Sequence, residues 1–204
     1  TQDNLFTQFT FYKEANINRY TKYLHNNNVS IKEAIINVNI GLDYPFYTNV
    51  EKSPNQENNY ILVNKYHYLD KNFIPTDLVK LDKYAKEGIY LKKEAYKAFI
   101  NMVLDIRKLN MDIRIISAYR SYDYQKELYN NYLRNDSPNN VDKYSARPGY
   151  SEHQTGLSID IDNYQLSYTE FHKTKEFNWM INNAYKYGYI LRYPKDKENI
   201  TGYK

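Results

Sequence analysis

Cysteine is missing from all 204 residues, and its absence excludes disulfide bonds, thiolate catalysis and every cysteine-based zinc site. That suits an exported protein of a host that avoids disulfides, and equally a cytosolic one. Long apolar runs are missing too: nothing approaches the roughly 20 residues that cross a bilayer, and no signal peptide is visible. The polar start Thr1-Gln2-Asp3-Asn4 reads as a boundary inside a longer protein, so an export signal or membrane anchor is expected outside this chain. There is no long basic block. Lys and Arg total 28 against 24 Asp and Glu, a net charge of +4 that gives nucleic-acid binding little support and suits weak attraction to an anionic polymer. Tryptophan occurs once beside 25 tyrosines, a bias read as the product of an AT-rich genome rather than as a ladder for stacking on sugars.

What is present is enough for a real core. Hydrophobic residues make up 42% of the chain, room for one substantial domain plus an appendage, while the mean hydropathy of -0.84 points to a soluble chain. Ile17, Tyr20, Tyr23 and Leu24 recur at helical spacing over 16–26, and Asn26-Asn27-Asn28 ends that helix. Ser30-Ile31-Lys32-Glu33 is a capping box that opens a second helix through Ala34, Ile35 and Val38. Two short helices bury little by themselves and are expected to pack on the main domain or on a partner. The polar stretch 51–59, with Pro54, reads as a linker, dividing the chain into a helical extension and linker (1–59) and a main domain (60–204).

Within the main domain the strongest helix spans 91–109, with Tyr96, Phe99, Ile100, Val103, Leu104 and Ile106 as its buried face. The alternating, β-branched run 112–119 reads as a strand leading into Arg120, and Ser121 is placed to cap the helix that follows. Residues 130–147 read as a polar surface loop, 175–187 as a helix stopped by Gly188, and 189–194 as another strand. His67 and His172 are read as structural or exposed.

The chemistry concentrates in Tyr150-Ser151-Glu152-His153-Gln154-Thr155-Gly156-Leu157-Ser158-Ile159-Asp160-Ile161-Asp162. Alternation over 157–161 puts Ser158, Asp160 and Asp162 on one strand face, and Gly156 permits a turn that folds His153 back over Asp160. Imidazole plus carboxylate is a common half of a catalytic zinc shell, which takes three protein ligands. By spacing alone a single His and a single Asp beside a turn are more often ordinary hydrogen-bonding residues. Arg120, at a strand-to-helix corner, reads either as a surface salt bridge or as a fixed fork for a carboxylate or oxyanion.

The pattern Ser-x-His-x-x-Gly-x-x-x-Asp, preceded by Ser117-Ala118-Tyr119-Arg120-Ser121 and Gln125, closely resembles the VanY-like D-alanyl-D-alanine carboxypeptidases. These are zinc peptidases of bacterial cell-wall metabolism that share a fold with LD-carboxypeptidases and VanX-type dipeptidases, and the resemblance runs from about Tyr60 to the end. It implies an α+β fold of the hedgehog/DD-peptidase kind, with helices packed on a mainly antiparallel sheet. It also implies Zn2+ on His153, Asp160 and a further histidine, Arg120 as oxyanion stabiliser, and Ser151 and Gln125 as positioners of the peptide or its carboxylate. The expected reaction is removal of the terminal D-alanine from peptidoglycan stem peptides, outside the cytoplasm, by a monomer.

Family members continue past the Thr-Gly-Tyr segment into a Glu-x-x-Trp-His motif that carries the third ligand and the general base. The chain reaches Lys204 before such a motif, so the 204-residue form is expected to hold zinc loosely and to be inactive. Glu152 is read as a solvated neighbour rather than a substitute base. The alternatives are an LD-carboxypeptidase, a cell-wall endopeptidase of the same fold, or a non-catalytic wall-binding module.

Overall fold

The computed structural model describes residues 5–54, 56–166 and 169–204. It separates into two compact units, Thr1–Glu51 and Lys52–Lys204.

The smaller unit contains α1 (Ile17–Asn26) and α2 (Ile31–Asn39). The capping box is complete: Glu33 N–H donates to Ser30 Oγ at 3.2 Å, and Ser30 N–H donates to Glu33 Oε2 at 2.9 Å. These two helices bury more than their length suggested. Phe6, Tyr20, Ile35 and Val38 are all but inaccessible, with Phe9, Tyr12, Ile17 and Leu24 packed around them. The rings of Phe6 and Tyr20 stack 5.6 Å apart, so the segment before α1 supplies the missing core volume. Tyr20 OH donates to Asn39 Oδ1 at 2.7 Å, and Arg19 grips Asp43 through two bonds of 2.7 and 2.8 Å.

The larger unit is organised around α3 (Lys93–Arg107), whose face of Phe99, Met102, Val103 and Ile106 is fully buried. That set follows i, i+3, i+4, i+7 spacing. Leu104, expected inside, is 48% exposed because it sits about 100° round the helix from Val103, and Met102 takes its place. Strands pair only in twos among the described residues. β1 (Leu78–Lys80) runs antiparallel to β2 (Tyr90–Lys92), with Val79 opposite Leu91. β3 (Arg114–Ser117) runs antiparallel to β4 (Asp160–Asp162), with Arg114 opposite Asp162, Ser117 opposite Asp160, and an irregularity between Ile115 and Ser117. Backbone bonds tie the ladders together: Tyr119 N–H donates to Tyr90 O at 2.9 Å, and Lys92 N–H to Gly156 O at 2.8 Å. Leu91, Ile113, Ile115 and Ala118 pack with the buried face of α3 in one core. The result is the expected α+β class, in small antiparallel ladders with helices against them.

Several elements differ from their sequence reading. Residues 130–147 are not one loop: α4 (Tyr122–Leu133) runs into them and α5 (Pro138–Val141) follows after a short turn, with irregular chain only beyond it. Asp142 fastens the following chain by accepting from Tyr129 OH at 2.8 Å and from Arg147 Nη2 at 2.8 Å. α6 (Lys175–Asn183) is capped by Thr174, continues as a 3-10 turn over Ala184–Tyr187, and stops at left-handed Gly188 (φ +81°). No strand forms over 189–194. Its side chains anchor it instead: Tyr189 OH donates to the Ala95 carbonyl in α3 at 2.6 Å, with its ring edge-on to Phe99. Among the described residues no helix is long and apolar enough to cross a membrane.

Candidate functional site

Three pieces of backbone meet at the junction of β3 and β4. The corner after β3 carries Arg120, the 3-10 turn Glu152–Thr155 carries His153, and the first residue of β4 is Asp160. Ser121 caps α4 by accepting from Tyr124 N–H at 3.2 Å, which ends the strand and points the chain away just after Arg120. Gly156 ends the 3-10 turn in the left-handed region (φ +69°), and a Cβ there would lie 2.9 Å from Leu78 Cδ2 and 3.1 Å from Lys92 Cγ. Glycine therefore permits both the turn and its seat against the β1–β2 ladder.

His153 is 9% exposed, and its Nδ1 lies 2.6 Å from the carbonyl oxygen of Ala118. A carbonyl only accepts, so Nδ1 carries a proton and Nε2 is the nitrogen turned outward. Nε2 faces Asp160 Oδ2 at 3.5 Å. Arg120 Nη2 reaches the same oxygen at 3.6 Å, and Arg120 N–H donates to His153 O at 3.1 Å. The Asp160 side chain is 48% accessible although protein surrounds it on most sides. That crowding pushes its carboxyl pKa up, but His153, Arg120 and the Ser117 hydroxyl together outweigh it and leave the carboxyl below its ordinary value. Burial lowers the Arg120 pKa, and the Asp160 charge opposes that shift. Arg120 Nε is buried and finds no acceptor among the described residues, so the guanidinium has an unsatisfied donor at this corner.

Gln125 and Ser151 stand behind the site rather than in its opening. Gln125 is 2% exposed; its Oε1 accepts from Arg120 Nη1 at 3.1 Å, while its Nε2 donates to Ala146 O at 2.8 Å. It orients the arginine. Ser151 is also buried, and its Oγ accepts from His153 N–H at 3.3 Å, capping the turn that holds the imidazole. Glu152 is not the solvated neighbour expected: Arg192 Nε donates to its Oε1 at 2.6 Å, and Tyr193 OH to its Oε2 at 2.9 Å. No periodicity links residues forty positions apart, so this clamp left no trace in the sequence pattern. Asp162, expected beside Asp160 on one face, turns inward and is bound by Arg114 at 2.8 and 3.1 Å. His67 pairs with Asn64 Oδ1, and exposed His172 with Thr169 O.

The donor pair fits zinc in type and spacing. Two donors on one tetrahedral zinc stand roughly 3.4 Å apart when the bonds are about 2.1 Å, close to the observed His153–Asp160 separation. Second, the Nδ1–carbonyl bond is the outer-shell contact that metal-bound histidines make. The count is two: among the described residues no group of three His, Cys, Asp or Glu side chains converges.

Comparison with known proteins shows the family. The family model described as VanY, D-alanyl-D-alanine carboxypeptidase, matches residues 88–204. YodJ of Bacillus subtilis (strain 168) is 39% identical over 165 residues, covering 76% of this chain; the chain spans 60% of YodJ's length. The solved LdcB LD-carboxypeptidase superposes with a TM-score of 0.71 at 39% identity, covering 77% of each chain. A mutant vancomycin-resistance D,D-pentapeptidase VanY, solved in complex with Zn(II), superposes with a TM-score of 0.58 at 25% identity, covering 71% of this chain and 82% of that one. Sequence and fold thus group the chain with relatives described as carboxypeptidases. Within that class, the chain belongs to the VanY D-alanyl-D-alanine carboxypeptidase family.

Proposed function

We propose that the protein is a zinc-dependent D,D-carboxypeptidase that removes the terminal D-alanine from peptidoglycan stem peptides, acting outside the cytoplasm. The observation that carries this reading is the 3.5 Å approach of His153 Nε2 to Asp160 Oδ2, with the imidazole held Nε2 outward by the Ala118 carbonyl. His153 and Asp160 would hold the ion together with a third protein ligand. In the family that ligand, and the base, belong to the Glu-x-x-Trp-His motif. When bound, zinc supplies Lewis acidity towards the scissile carbonyl and brings the pKa of a water near 7.

The chain's own residues do the rest. Arg120, braced by Gln125 and facing the donor pair, is placed to bind negative charge developing on the carbonyl oxygen, where a fixed donor contributes most in the transition state. Gln125 and Ser151 act on substrate indirectly, through Arg120 and the His153 turn. A substrate carboxylate near Arg120 would add ground-state binding by the same fork geometry.

A second reading, an LD-carboxypeptidase acting on a tetrapeptide, is favoured by one observation: the LdcB enzyme superposes at 0.71 against 0.58 for the D,D-pentapeptidase. One experiment tests both. The full-length protein is incubated with a stem pentapeptide ending in D-Ala-D-Ala and with the tetrapeptide ending in one D-alanine, with and without a zinc chelator, and released alanine is counted. Chelator-sensitive release from the pentapeptide is expected. Preference for the tetrapeptide selects the second reading, and no release from either by zinc-loaded protein overturns both.

A further inference from the structure

We propose that Glu152 is a positioning residue: its carboxylate ties the 190–194 segment to the turn that presents His153, and so holds the His153–Asp160 pair at its spacing. The zinc arm of this inference rests on the function proposed above; the structural arm does not.

A four-residue 3-10 turn has poor internal hydrogen bonds, so contacts from outside decide its orientation. Four groups of such contacts surround the turn and its end, one of them made by buried Gln154, whose Nε2 donates to Asp70 O at 2.9 Å and to Phe73 O at 3.2 Å. On one side Arg120 N–H donates to His153 O at 3.1 Å and the imidazole bonds Ala118 O, both in the corner after β3. At the turn's end Lys92 N–H donates to Gly156 O at 2.8 Å. The first residue of the turn is held through its Glu152 side chain, by a guanidinium at 2.6 Å and a phenol at 2.9 Å. Charge-assisted bonds of this kind are about twice as strong as neutral ones. Burial lowers the Arg192 pKa, yet the Glu152 charge more than restores it, in keeping with a close ion pair.

The brace needs a rigid far end, and it has one. Tyr189 is fastened to α3 through Ala95 O and packs against Phe99, while the Tyr193 ring meets Tyr203 edge-on at 5.0 Å. The segment has no strand partner to define its course, so these anchors and Glu152 define it. Both oxygens of Glu152 already accept strong donors, which argues against a role as proton acceptor for the reaction.

The test uses the full-length protein and the variants Glu152→Ala, Glu152→Gln, Arg192→Ala and their Ala double. Hydrogen exchange of the metal-free protein reads the turn at 151–156 and the segment at 189–194; zinc affinity is read by competition with a chromophoric chelator. Each Ala variant is expected to raise exchange in both segments and to weaken zinc by about tenfold or more, as outer-shell losses do. The double should be no worse than the stronger single, and Glu152→Gln should recover part of the loss. Exchange changes confined to the mutated segment, or fully multiplicative effects in the double, overturn the proposal. Should Glu152→Ala fail to fold, Arg192→Ala and Tyr193→Phe, which alter less buried side chains, give the same readings. If unaltered protein takes up no zinc, or His153→Ala leaves its affinity unchanged, the metal reading falls, and the exchange arm still decides the brace.

Discussion

The Ala118 carbonyl and the His153 imidazole stand 2.6 Å apart across 35 residues of sequence, and that bond fixes which nitrogen of the ring faces Asp160. Because Ala118 is buried and lies just past β3, the orientation of the imidazole is set by the core of the larger unit. The consequences of this arrangement are open to measurement.

Arg120 is expected to matter for rate rather than for metal. Its nearest approach to Asp160 is 3.6 Å and its remaining contacts are to Gln125 and the backbone, so removing it leaves the donor pair in place. Arg120→Ala should lower kcat by on the order of a hundredfold, the usual loss for one oxyanion donor, with zinc content unchanged. Steady-state kinetics with metal analysis check this; lost zinc, or a change in KM alone, contradicts the role.

Gly156→Ala is expected to destabilise the protein by about 1–2 kcal/mol from the left-handed backbone, with a further cost because the new Cβ would meet Leu78 Cδ2 at 2.9 Å and Cγ of buried Lys92 at 3.1 Å. Urea unfolding gives the value. The same variant should weaken zinc binding, because the turn that Gly156 closes carries His153.

Lys65 gives a pH signature away from the site. It is 2% exposed, its Nζ donates to the Asp142 carbonyl and lies 4.2 Å from the centre of the Tyr203 ring, and burial lowers its pKa to about 8. With the folded value below the ordinary 10.5, the unfolded chain holds more protons between those two values. Stability contributed by this group should therefore be flat below pH 8 and rise as pH climbs from about 8 to 10.5, by roughly 3 kcal/mol at most. Lys65→Met should remove that rise, as denaturant midpoints at pH 7 and pH 10 would reveal; an unchanged slope in the variant contradicts it.

A polypeptide limited to residues 1–204 is expected to fold, since α3, β3 and β4 and their core lie within it. With two converging ligands it should bind zinc far more weakly than a form extended through a Glu-x-x-Trp-His motif, and release no D-alanine. Near-equal turnover by the two forms would show that another residue completes the site.

How much of this was legible in the sequence depends on the range of the interaction. The capping box at Ser30, the N-cap at Ser121, the stop at Gly188 and the α3 face are local: each is decided by residues within two turns, and each appears nearly where the pattern puts it. The His153–Gly156–Asp160 spacing is local too, and the two side chains do converge. Strand extents were less legible, because a strand exists only where a partner reaches it; 157–159 and 189–194 have β-like composition and no ladder.

By itself the sequence determined most of the helices, α5 excepted, the turn chemistry and the two donors that meet, since propensity, capping and a left-handed glycine act through neighbours in the chain. The tertiary structure alone decided which nitrogen of His153 faces outward, that Gln125 serves Arg120 from within, and that Glu152 is clamped by Arg192 and Tyr193. Those are contacts between segments far apart in sequence. Their distances and directions depend on how the whole core packs, and no spacing along the chain encodes them.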